Sequence, residues 1–279
     1  MPDATTPLAT SAEGIIYSCS GDFYIGEALR SARSSLRHNP VPHLMFTSGE
    51  VQSAEGVSFQ HFEPSANPYA DKIANIRRSP FERTIYLDSD TFVVDEIVHL
   101  LALLDHYDVA VAYAPAYRGL ADPGVPRAFY EFNTGVLAWR ASDRVAAFLR
   151  GWEETYLAWL SEEPFPGASK ASNSRRADQP AFRRCAWEHE MRLFVLAPEY
   201  NFRLGYPATV VDPVHVIHGN HEDYDALAAR VNDRQQPRTW PPPLPLRAKV
   251  ARRVRKAARV DRDVSRPKRP EWHADARPD

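Results

Sequence analysis

Short apolar runs alternate with amphipathic stretches along most of the chain. The apolar runs predict β-strands, at residues 14–19, 43–47, 57–62, 84–87, 109–113, 132–139, 193–196 and 210–217. The amphipathic stretches predict helices, at residues 26–38, 71–78, 96–106, 142–160 and 179–191. Strands that alternate with helices predict an α/β fold, with a mostly parallel central sheet covered by helices on both faces. In such sheets, ligands bind beyond the carboxyl ends of the strands.

The composition is that of a soluble globular chain. Of the 279 residues, 44% are hydrophobic and 25% are charged, and no apolar run approaches the roughly 18 residues that would cross a membrane. Residues 1–13 hold no Lys or Arg and no apolar block, so they predict a disordered leader rather than a signal peptide. Cys19 and Cys185 match no metal-binding or redox spacing. A reducing cytoplasm is therefore the simplest location.

Charge is distributed unevenly, which divides the chain into a body and a tail. Residues 240–279 hold 12 Lys or Arg and 5 Asp or Glu, whereas the net charge of the whole chain is −2. The body, predicted as one domain at 14–236, is therefore acidic, and this argues against nucleic acid as a partner. The tail at 237–279 begins as a Pro-rich spacer, and 246–260 predicts a basic amphipathic helix. That helix suits peripheral contact with an anionic inner membrane surface; a solvated helix or a disordered tail is the alternative.

Two aspartates follow the predicted strand at 84–87, one residue apart. Alternation in a continuing strand would place Asp88 and Asp90 on one side and Ser89 on the other. Two carboxylates on one side repel each other unless something positive lies between them. Hard oxygen ligands suit Mg²⁺ or Mn²⁺, and these cations usually also hold substrate phosphates. The alternative is an acidic loop after a buried strand.

Two polar clusters elsewhere in the chain suit a sugar. The strand at 132–139 begins with Asn133, Thr134 and Gly135, which offer directed hydrogen bonds and close approach of the backbone. An ordinary turn that enters a strand is the alternative. Asp178 and Gln179 stand at the start of a predicted helix. As a pair they suit sugar hydroxyls, although an N-cap role alone could explain Asp178.

Two further side chains could complete a site for a charged ligand. Lys72 lies on the predicted helix before the aspartate strand and could contact donor phosphate or sugar as a point charge; a solvated lysine is the alternative. The predicted strand at 210–217 leads to His218 and Gly219. Because alternation places His215 and His218 on opposite faces, His218 is the candidate for a third metal ligand, with a structural histidine as the alternative.

The order of these motifs resembles the GT-A nucleotide-sugar glycosyltransferases. The closest resemblance is to the family that includes glycogenin and the bacterial lipopolysaccharide galactosyltransferases and glucosyltransferases (glycosyltransferase family 8). It covers about residues 15–218. The motifs that carry it occur in the family's order: Asp22-x-Tyr24, Lys72, Asp88-x-Asp90, Asn133-x-Gly135, Asp178-Gln179 and His218.

The resemblance implies a GT-A fold and a hexosyltransferase that retains anomeric configuration. It implies a UDP-hexose donor, with Mn²⁺ or Mg²⁺ held by Asp88, Asp90 and His218. The implied catalytic residues are Asp178, Gln179 and Asn133. Contacts to the nucleotide sugar are implied for a longer set: Ser18, Cys19, Ser20, Asp22, Tyr24, Lys72, Asp88, Ser89, Asp90, Asn133, Thr134, Gly135, Asp178, Gln179, His218 and Gly219. The acceptor stays open between a sugar, a lipid-linked molecule and another small molecule.

The chain departs from the family after His218. The family has His-x-x-Gly followed by Lys-Pro-Trp, whose lysine binds the diphosphate, whereas this chain has no lysine between His218 and Lys249. Arg230, Arg234 or Arg238 could substitute for it. The departure keeps open a sugar-nucleotide-binding scaffold protein with impaired catalysis.

Two other enzyme classes are compatible with part of the pattern. A phosphatase of the haloacid dehalogenase type needs Thr four residues after its first aspartate, where this chain has Phe92. A nucleotidyltransferase would need a Gly-rich phosphate loop after the first strand, and residues 18–22 contain a single glycine. Both are disfavoured relative to the glycosyltransferase.

Overall fold

The computed structural model describes residues 11–51, 53–114, 122, 124–162, 177–235 and 239–240. In these ranges the strands are β1 (Glu13–Cys19), β2 (His43–Thr47), β3 (Val57–His61), β4 (Arg83–Leu87), β5 (Thr91–Val93), β6 (Val109–Tyr113), β7 (Phe132–Arg140), β8 (Leu193–Leu196), β9 (Phe202–Arg203), β10 (Ala208–Thr209), β11 (Val216–His218) and β12 (Thr239–Trp240). The α-helices are α1 (Asp22–Leu36), α2 (Pro68–Ile76), α3 (Asp143–Leu160), α4 (Gln179–Glu188) and α5 (Tyr224–Asn232). Two 3₁₀-helices span Val98–Asp105 and Pro198–Tyr200.

A seven-stranded sheet forms the centre of the fold, in the order β3-β2-β1-β4-β7-β6-β8. β7 is antiparallel to both of its neighbours, and the other neighbouring pairs are parallel. The predicted α/β class with a mostly parallel sheet is confirmed. Because β7 runs against β4, the carboxyl end of β4 lies beside the start of β7, where Leu87 pairs with Val136. This brings the aspartate motif next to the polar triplet that begins β7.

The central strands contribute side chains to two hydrophobic cores, one on each face of the sheet. Ile16, Tyr86 and Leu137 belong to the core that α2, α3 and α4 cover. Their neighbours along the strands, such as Ile15 and Ala138, belong to the core under α1 and the first 3₁₀-helix. Burial on both faces explains why these strands appear in the sequence as apolar runs rather than as alternating patterns. None of the helices in the described ranges combines the length and the apolarity needed to cross a bilayer.

Two helices begin earlier than predicted. α1 begins at Asp22 instead of residue 26. α2 begins at Pro68 instead of residue 71, because the side chain of Asn67 accepts hydrogen bonds from the N–H groups of Tyr69 and Ala70. Proline suits the first turn of a helix, where its missing N–H is not needed. The segment predicted as a helix at 96–106 is the 3₁₀-helix Val98–Asp105 instead.

The predicted strand at 210–217 is wrong for most of its length. Only its end belongs to a strand, β11, while Val211 is 78% exposed and Pro213 has no N–H for a ladder. β11 pairs with β5 in antiparallel fashion and with β9 in parallel fashion, which makes a small second sheet. This sheet carries His218.

The first residues of the predicted tail pair with a strand of the predicted body. β12 pairs with β10 in antiparallel fashion, so residues 239–240, in the segment predicted as a spacer, contact the body. The predicted basic helix at 246–260 and most of the predicted leader at 1–13 lie outside the described residues.

Buried serines join α1 to β5 and so position the second sheet. Ser31 Oγ lies 2.7 Å from Thr91 Oγ1. Ser34 Oγ accepts from the backbone N–H of Val93 at 2.9 Å and donates to the carbonyl of Ser31 at 2.7 Å. Since Ser34 and Val93 are each 1% exposed, water does not replace these bonds.

We expect Ser34→Ala to lower the free energy of unfolding by about 1–3 kcal/mol, because it leaves the buried N–H of Val93 without a partner. Urea denaturation of the full chain measures the change. Ser53→Ala, at an exposed position, is the control and should change the free energy by less than about 0.5 kcal/mol. Equal stability of the two variants would contradict the role of Ser34.

Candidate active site

The aspartate motif forms a turn between β4 and β5. The N–H of Asp88 donates to the carbonyl of Gly135 at 2.9 Å, and Thr91 Oγ1 donates to the carbonyl of Asp88 at 2.8 Å. β4 ends at Leu87, and Ser89 and Asp90 belong to the turn. The prediction that strand alternation places the two carboxylates together is therefore wrong. The turn, and not a continuing strand, brings them to the same side.

His218 faces both carboxylates. Its Nε2 lies 3.2 Å from Asp90 Oδ1 and 3.8 Å from Asp88 Oδ2. His215 is directed elsewhere, since its Nδ1 lies 2.9 Å from the carbonyl oxygen of Glu96 and its ring stacks on Tyr200. The structure thus separates the two histidines as predicted, and brings the predicted third ligand to the aspartates.

The three side chains could hold a divalent cation. One ligand atom from each of Asp88, Asp90 and His218 lies within 4.8 Å of the others. Two carboxylates and an imidazole are a donor set that Mn²⁺ accepts readily and that Mg²⁺ can share with water and phosphate oxygens. The side chains of Asp88 and Asp90 are 25% and 34% exposed, and that of His218 is 7% exposed. The triad is therefore open to a ligand on the aspartate side only.

Gly135 lies directly against the triad. A Cβ atom built on Gly135 would clash with Cε1 of His218 and would lie 2.8 Å from Oδ2 of Asp88. Close approach was predicted for this glycine, with the sugar nucleotide as the neighbour. In the structure, the close neighbours are two of the metal-ligand candidates.

A chain of amides fixes the ring of His218. Asn201 Nδ2 donates to Asn133 Oδ1 at 2.7 Å, and Asn201 Oδ1 lies 2.8 Å from His218 Nδ1. With its amide oriented in this way, Asn201 accepts a hydrogen bond from a protonated Nδ1, which leaves the Nε2 lone pair free for a cation. The predicted role of Asn133 was a sugar contact. Its Oδ1 accepts from Asn201 and from the N–H of Gly135, and the residue is 2% exposed.

Asn201 did not emerge from the sequence. It follows a three-residue 3₁₀-helix and precedes the two-residue β9, so no periodic pattern surrounds it. The one available signal is a single amide between two aromatic residues, Tyr200 and Phe202, close to a strand. Such a signal is weak, because amides are common at the ends of short elements.

Lys72 joins the aspartate turn to the Asp178 segment. Its Nζ lies 2.9 Å from Asp88 Oδ1, 3.0 Å from Thr134 Oγ1 and 3.4 Å from Asp178 Oδ2. Burial alone would lower the pKa of Lys72, but the carboxylates of Asp178 and Asp88 hold it above its usual value, so the ammonium stays charged. The solvated alternative is excluded, because the side chain is 8% exposed. The ammonium of Lys72 therefore pairs with two carboxylates of the protein itself, whereas the sequence suggested a contact with the donor.

The two oxygens of Asp88 have different partners. Tyr86 donates from its hydroxyl to Oδ1 at 2.8 Å, and Lys72 binds the same oxygen. Burial, reinforced by Asp88, raises the pKa of Tyr86 well above its usual value, so the hydroxyl keeps its proton. Oδ1 is thus occupied by two donors, and Oδ2 is the oxygen that faces His218.

Asp178 does not cap α4 with its side chain, so the N-cap alternative is excluded. Its Oδ2 accepts from Thr134 Oγ1 at 2.7 Å, and its backbone carbonyl accepts from Trp152 Nε1 at 3.0 Å. Oδ1 is buried and has no hydrogen-bond partner among the described residues. Gln179 is the first residue of α4 and is partly exposed.

The first loop is held to α2. Asn75 donates to Ser18 Oγ at 3.0 Å, and Ser20 Oγ donates to Asp71 Oδ2 at 3.2 Å. Cys19 lies in the core, where burial raises the pKa of its thiol to about 12. Of the residues predicted to contact the nucleotide here, Cys19 could therefore use only its backbone.

Exposed groups at the start of α1 face solvent near this loop. Asp22 is the first residue of the helix, and Tyr24 is 51% exposed. Phe23, which was not predicted as a contact, is 67% exposed, and its ring meets that of Tyr24 edge to face at 5.3 Å. Exposed aromatic faces of this kind can stack on a nucleobase. On the other side of the triad, Gly219 donates its N–H to the carbonyl of Asp90 at 2.9 Å.

No family model matches the chain, and no curated protein matches it in sequence. Solved structures do match it in fold. The chain is similar to the galactosyltransferase LgtC, solved in complex with donor and acceptor sugar analogues, at 15% identity and a TM-score of 0.52. That match covers 78% of this chain and 93% of LgtC.

Two further solved structures have the same fold. Mouse xyloside xylosyltransferase 1, in its apo form, matches at 15% identity and a TM-score of 0.50, over 75% of this chain and 98% of that one. The bifunctional glycosyltransferase WbbM matches at 15% identity and a TM-score of 0.50, over 72% of this chain and 41% of WbbM. The predicted GT-A fold is therefore confirmed. Membership of glycosyltransferase family 8 stays a prediction.

We expect Gly135→Ala to lower the free energy of unfolding by about 1–3 kcal/mol, because the new methyl group overlaps His218 and Asp88. The measurement is urea denaturation without added metal. Gly205→Ala is the matched control, since nothing lies within 4 Å of a Cβ at that position. If Gly135→Ala were as stable as the control, the close packing described here would be refuted.

We expect Asn201→Ala to weaken Mn²⁺ binding about tenfold to a hundredfold, because the partner that orients His218 is lost. Electron paramagnetic resonance of free Mn²⁺ measures the affinity without any substrate. Asn201→Asp keeps an oxygen for Nδ1 of His218 and should retain more affinity than Asn201→Ala. Equal Mn²⁺ affinity in the wild type and Asn201→Ala would remove the orienting role.

Proposed function

We propose that this chain is a metal-dependent glycosyltransferase that moves a hexose from a nucleotide-diphospho-sugar, with UDP-hexose as the first candidate, to an acceptor hydroxyl. The observation that carries the proposal is the open triad of Asp88, Asp90 and His218 at the carboxyl end of β4. The position beyond a strand end is where ligands bind in open α/β sheets. The fold, shared with solved glycosyltransferases, supports the same assignment.

The chemistry that a bound Mn²⁺ or Mg²⁺ would supply is stabilisation of the charge that develops on the nucleoside diphosphate leaving group. Asp88, through Oδ2, Asp90 and Nε2 of His218 would hold the cation. The residues around them keep these ligands in place. Tyr86 and Lys72 hold the other oxygen of Asp88, and Asn201, bound to Nδ1, orients the ring of His218 so that Nε2 faces the carboxylates.

The sugar would lie beside the Asp178 segment. Glycosyl transfer passes through an oxocarbenium-like state, as glycoside hydrolysis does, so a nearby negative charge stabilises it. Lys72 and Thr134 bind Oδ2 of Asp178, so the carboxylate is fixed in position, and because it is buried it would act on the sugar through its field rather than through direct contact. Gln179 is the accessible polar group of the pair and would contact sugar hydroxyls. We propose retention of configuration on the resemblance to the retaining family.

The first loop would hold the nucleoside. The exposed rings of Tyr24 and Phe23 offer an apolar surface to a base, and the backbone from Ser18 to Ser20 offers hydrogen bonds to it. Asp22, at the start of α1, would contact ribose hydroxyls on the resemblance to the family. Neither the loop nor the triad identifies the base, so UDP is proposed from the resemblance alone.

The proposal extends to partners and location. A sugar or a lipid-linked acceptor remains proposed, and so does a cytoplasmic location with peripheral contact of residues 240–279 at the inner membrane surface. The basic composition of that tail supports the contact. Residues 241–279 lie outside the described part of the chain.

The two alternatives are less well supported. A haloacid-dehalogenase-type phosphatase needs its first aspartate free as a nucleophile, whereas Oδ1 of Asp88 is bound by Lys72 and Tyr86. A sugar-nucleotide-binding scaffold keeps the same triad without turnover. Slow Mn²⁺-dependent hydrolysis of a nucleotide sugar, with no acceptor present, separates the enzyme from the scaffold.

We expect Asp88→Ala and Asp90→Ala to abolish the Mn²⁺-dependent binding of UDP and the hydrolysis of UDP-hexose, because each removes a carboxylate from the triad. Isothermal titration calorimetry of UDP, with and without Mn²⁺, measures binding. Asp225→Ala, at an exposed position on α5, is the control and should bind as the wild type does.

Two outcomes would contradict the proposal. Unchanged UDP affinity with Mn²⁺ in both aspartate variants would sink the metal site. A thermal-shift screen with Mn²⁺ covers UDP-, GDP-, ADP- and TDP-sugars, so a response to another base would correct the donor while keeping the activity. No response to any nucleotide sugar would overturn the function itself.

A further inference from the structure

Among the described residues, the metal-ligand candidates and their immediate neighbours offer no unpaired positive charge to the phosphates of a donor. Asp88 and Asp90 would offset a divalent cation, and Lys72 is shared between Asp88 and Asp178. A nucleoside diphosphate adds two to three negative charges, and in a partly buried site these need a cation or several N–H donors. The sequence suggested Arg230, Arg234 or Arg238 for this role. Arg230 and Arg234 lie on or after α5, and Arg238 is outside the described residues.

Arg30 lies beside the loop that follows His218. Its Nη2 donates to Asn220 Oδ1 at 3.4 Å, and Asn220 is two residues after His218. The guanidinium lies over the ring of Tyr224, 4.9 Å from its centroid, and Tyr224 donates its hydroxyl to the carbonyl of Gly219 at 3.0 Å. α1 thus brings a guanidinium to the segment whose backbone hydrogen-bonds to the aspartate turn.

The present partners of Arg30 leave donors free. Glu27 is 3.6 Å away, beyond good hydrogen-bond length, and the bond to Asn220 is long. Nε is buried without a hydrogen-bond partner. The side chain as a whole is 37% exposed, so a ligand can reach it. The exposed part of the guanidinium, held only by long contacts, is therefore the part that an anion could bind.

Glu27 links Arg30 to the triad through charge. The residue is 6% exposed. Burial raises the pKa of Glu27; Arg30 opposes that rise, and the negative charge of Asp90 adds to it. Hydrogen bonds give the more direct connection: Asn220, which accepts from Arg30, follows Gly219, whose N–H donates to the carbonyl of Asp90. These contacts bring Arg30 near the turn that carries two of the metal-ligand candidates.

We propose that Arg30 binds the diphosphate of the nucleotide-sugar donor. The proposal rests on the proposed function and names a ligand-binding residue for it. On binding, the guanidinium would exchange its long contacts with Glu27 and Asn220 for charge-assisted hydrogen bonds to phosphate oxygens, which are shorter and stronger. The Tyr224 ring, 4.9 Å from the guanidinium carbon, attracts the cation and helps to keep it beside the Asn220 loop.

The test compares ligands that differ only in phosphate. In the full chain with saturating Mn²⁺, we expect Arg30→Ala to weaken UDP binding about tenfold to a hundredfold and to change uridine binding by less than about threefold. Arg30→Lys keeps the charge without the planar fork and should fall between the two. Isothermal titration calorimetry gives the affinities. Arg33→Ala, one turn further along α1 and exposed, is the matched control and should bind UDP as the wild type does.

A second variant and a second measurement distinguish loss of a phosphate contact from loss of the folded structure. Arg30→Gln keeps a polar side chain of intermediate length without the charge, and it should show the same selective loss of UDP affinity. Mn²⁺ affinity without nucleotide, measured by electron paramagnetic resonance, should stay within about twofold of the wild type, because Arg30 contacts none of the three ligands.

Several outcomes would overturn the inference, and they differ from failure of the function. Wild-type affinity for UDP in Arg30→Ala, while Asp88→Ala loses binding, leaves the transferase in place without this contact. An equal loss of affinity for uridine and for UDP would show that Arg30 has a structural role instead. Arg203 lies on β9, opposite His218. If Arg203→Ala lost affinity for UDP and Arg30→Ala did not, Arg203 would be the diphosphate contact. If the wild type binds no UDP in the presence of Mn²⁺, the proposed function has failed.

Discussion

A single ammonium group, that of Lys72, bridges two carboxylates from distant parts of the chain. Asp88 follows β4, Asp178 precedes α4, and Lys72 lies between them on α2. Without this charge, two carboxylates would face each other in a largely buried region, where the cost is several kcal/mol. The interaction therefore fixes the end of β4, the middle of α2 and the start of α4 at one point. The metal-ligand candidates are built outwards from there.

Space limits the site as strictly as charge does. Gly135 lets His218 and Asp88 approach the start of β7, and this is possible only because β7 is antiparallel to β4. On the far side of the histidine, Asn201 and Asn133 fix the ring. Three side chains would hold the cation, and Tyr86, Lys72, Asn201 and Asn133 in turn hold those three in place. Such supporting contacts are what preorganises a site for binding.

The sequence predicted the site by residue type and the fold by periodicity. Asp88, Asp90 and His218 were recognisable because acidic or imidazole groups at the ends of apolar runs are unusual. The roles of Lys72 and Asn133 were not recognisable in the same way. Each depends on which strands are neighbours and in which direction they run, and local patterns do not contain that information. The false strand at 210–217 has a related cause, since Val210, Val211, Val214 and Val216 make the segment apolar although Val211 is exposed and only the last two residues belong to β11.

The network around Lys72 also constrains how this chain can change over generations. Loss of Lys72 alone would leave Asp178, which is 1% exposed, as an uncompensated buried charge, and loss of Asp178 alone would leave the ammonium with Asp88 as its one carboxylate partner. Either step costs stability, and stability is the first thing that selection screens. A relative whose triad no longer bound a cation would still keep Lys72, Thr134 and Asp178 for folding alone. Asp90 and Gln179 are more exposed than Asp178, so folding constrains these two positions less.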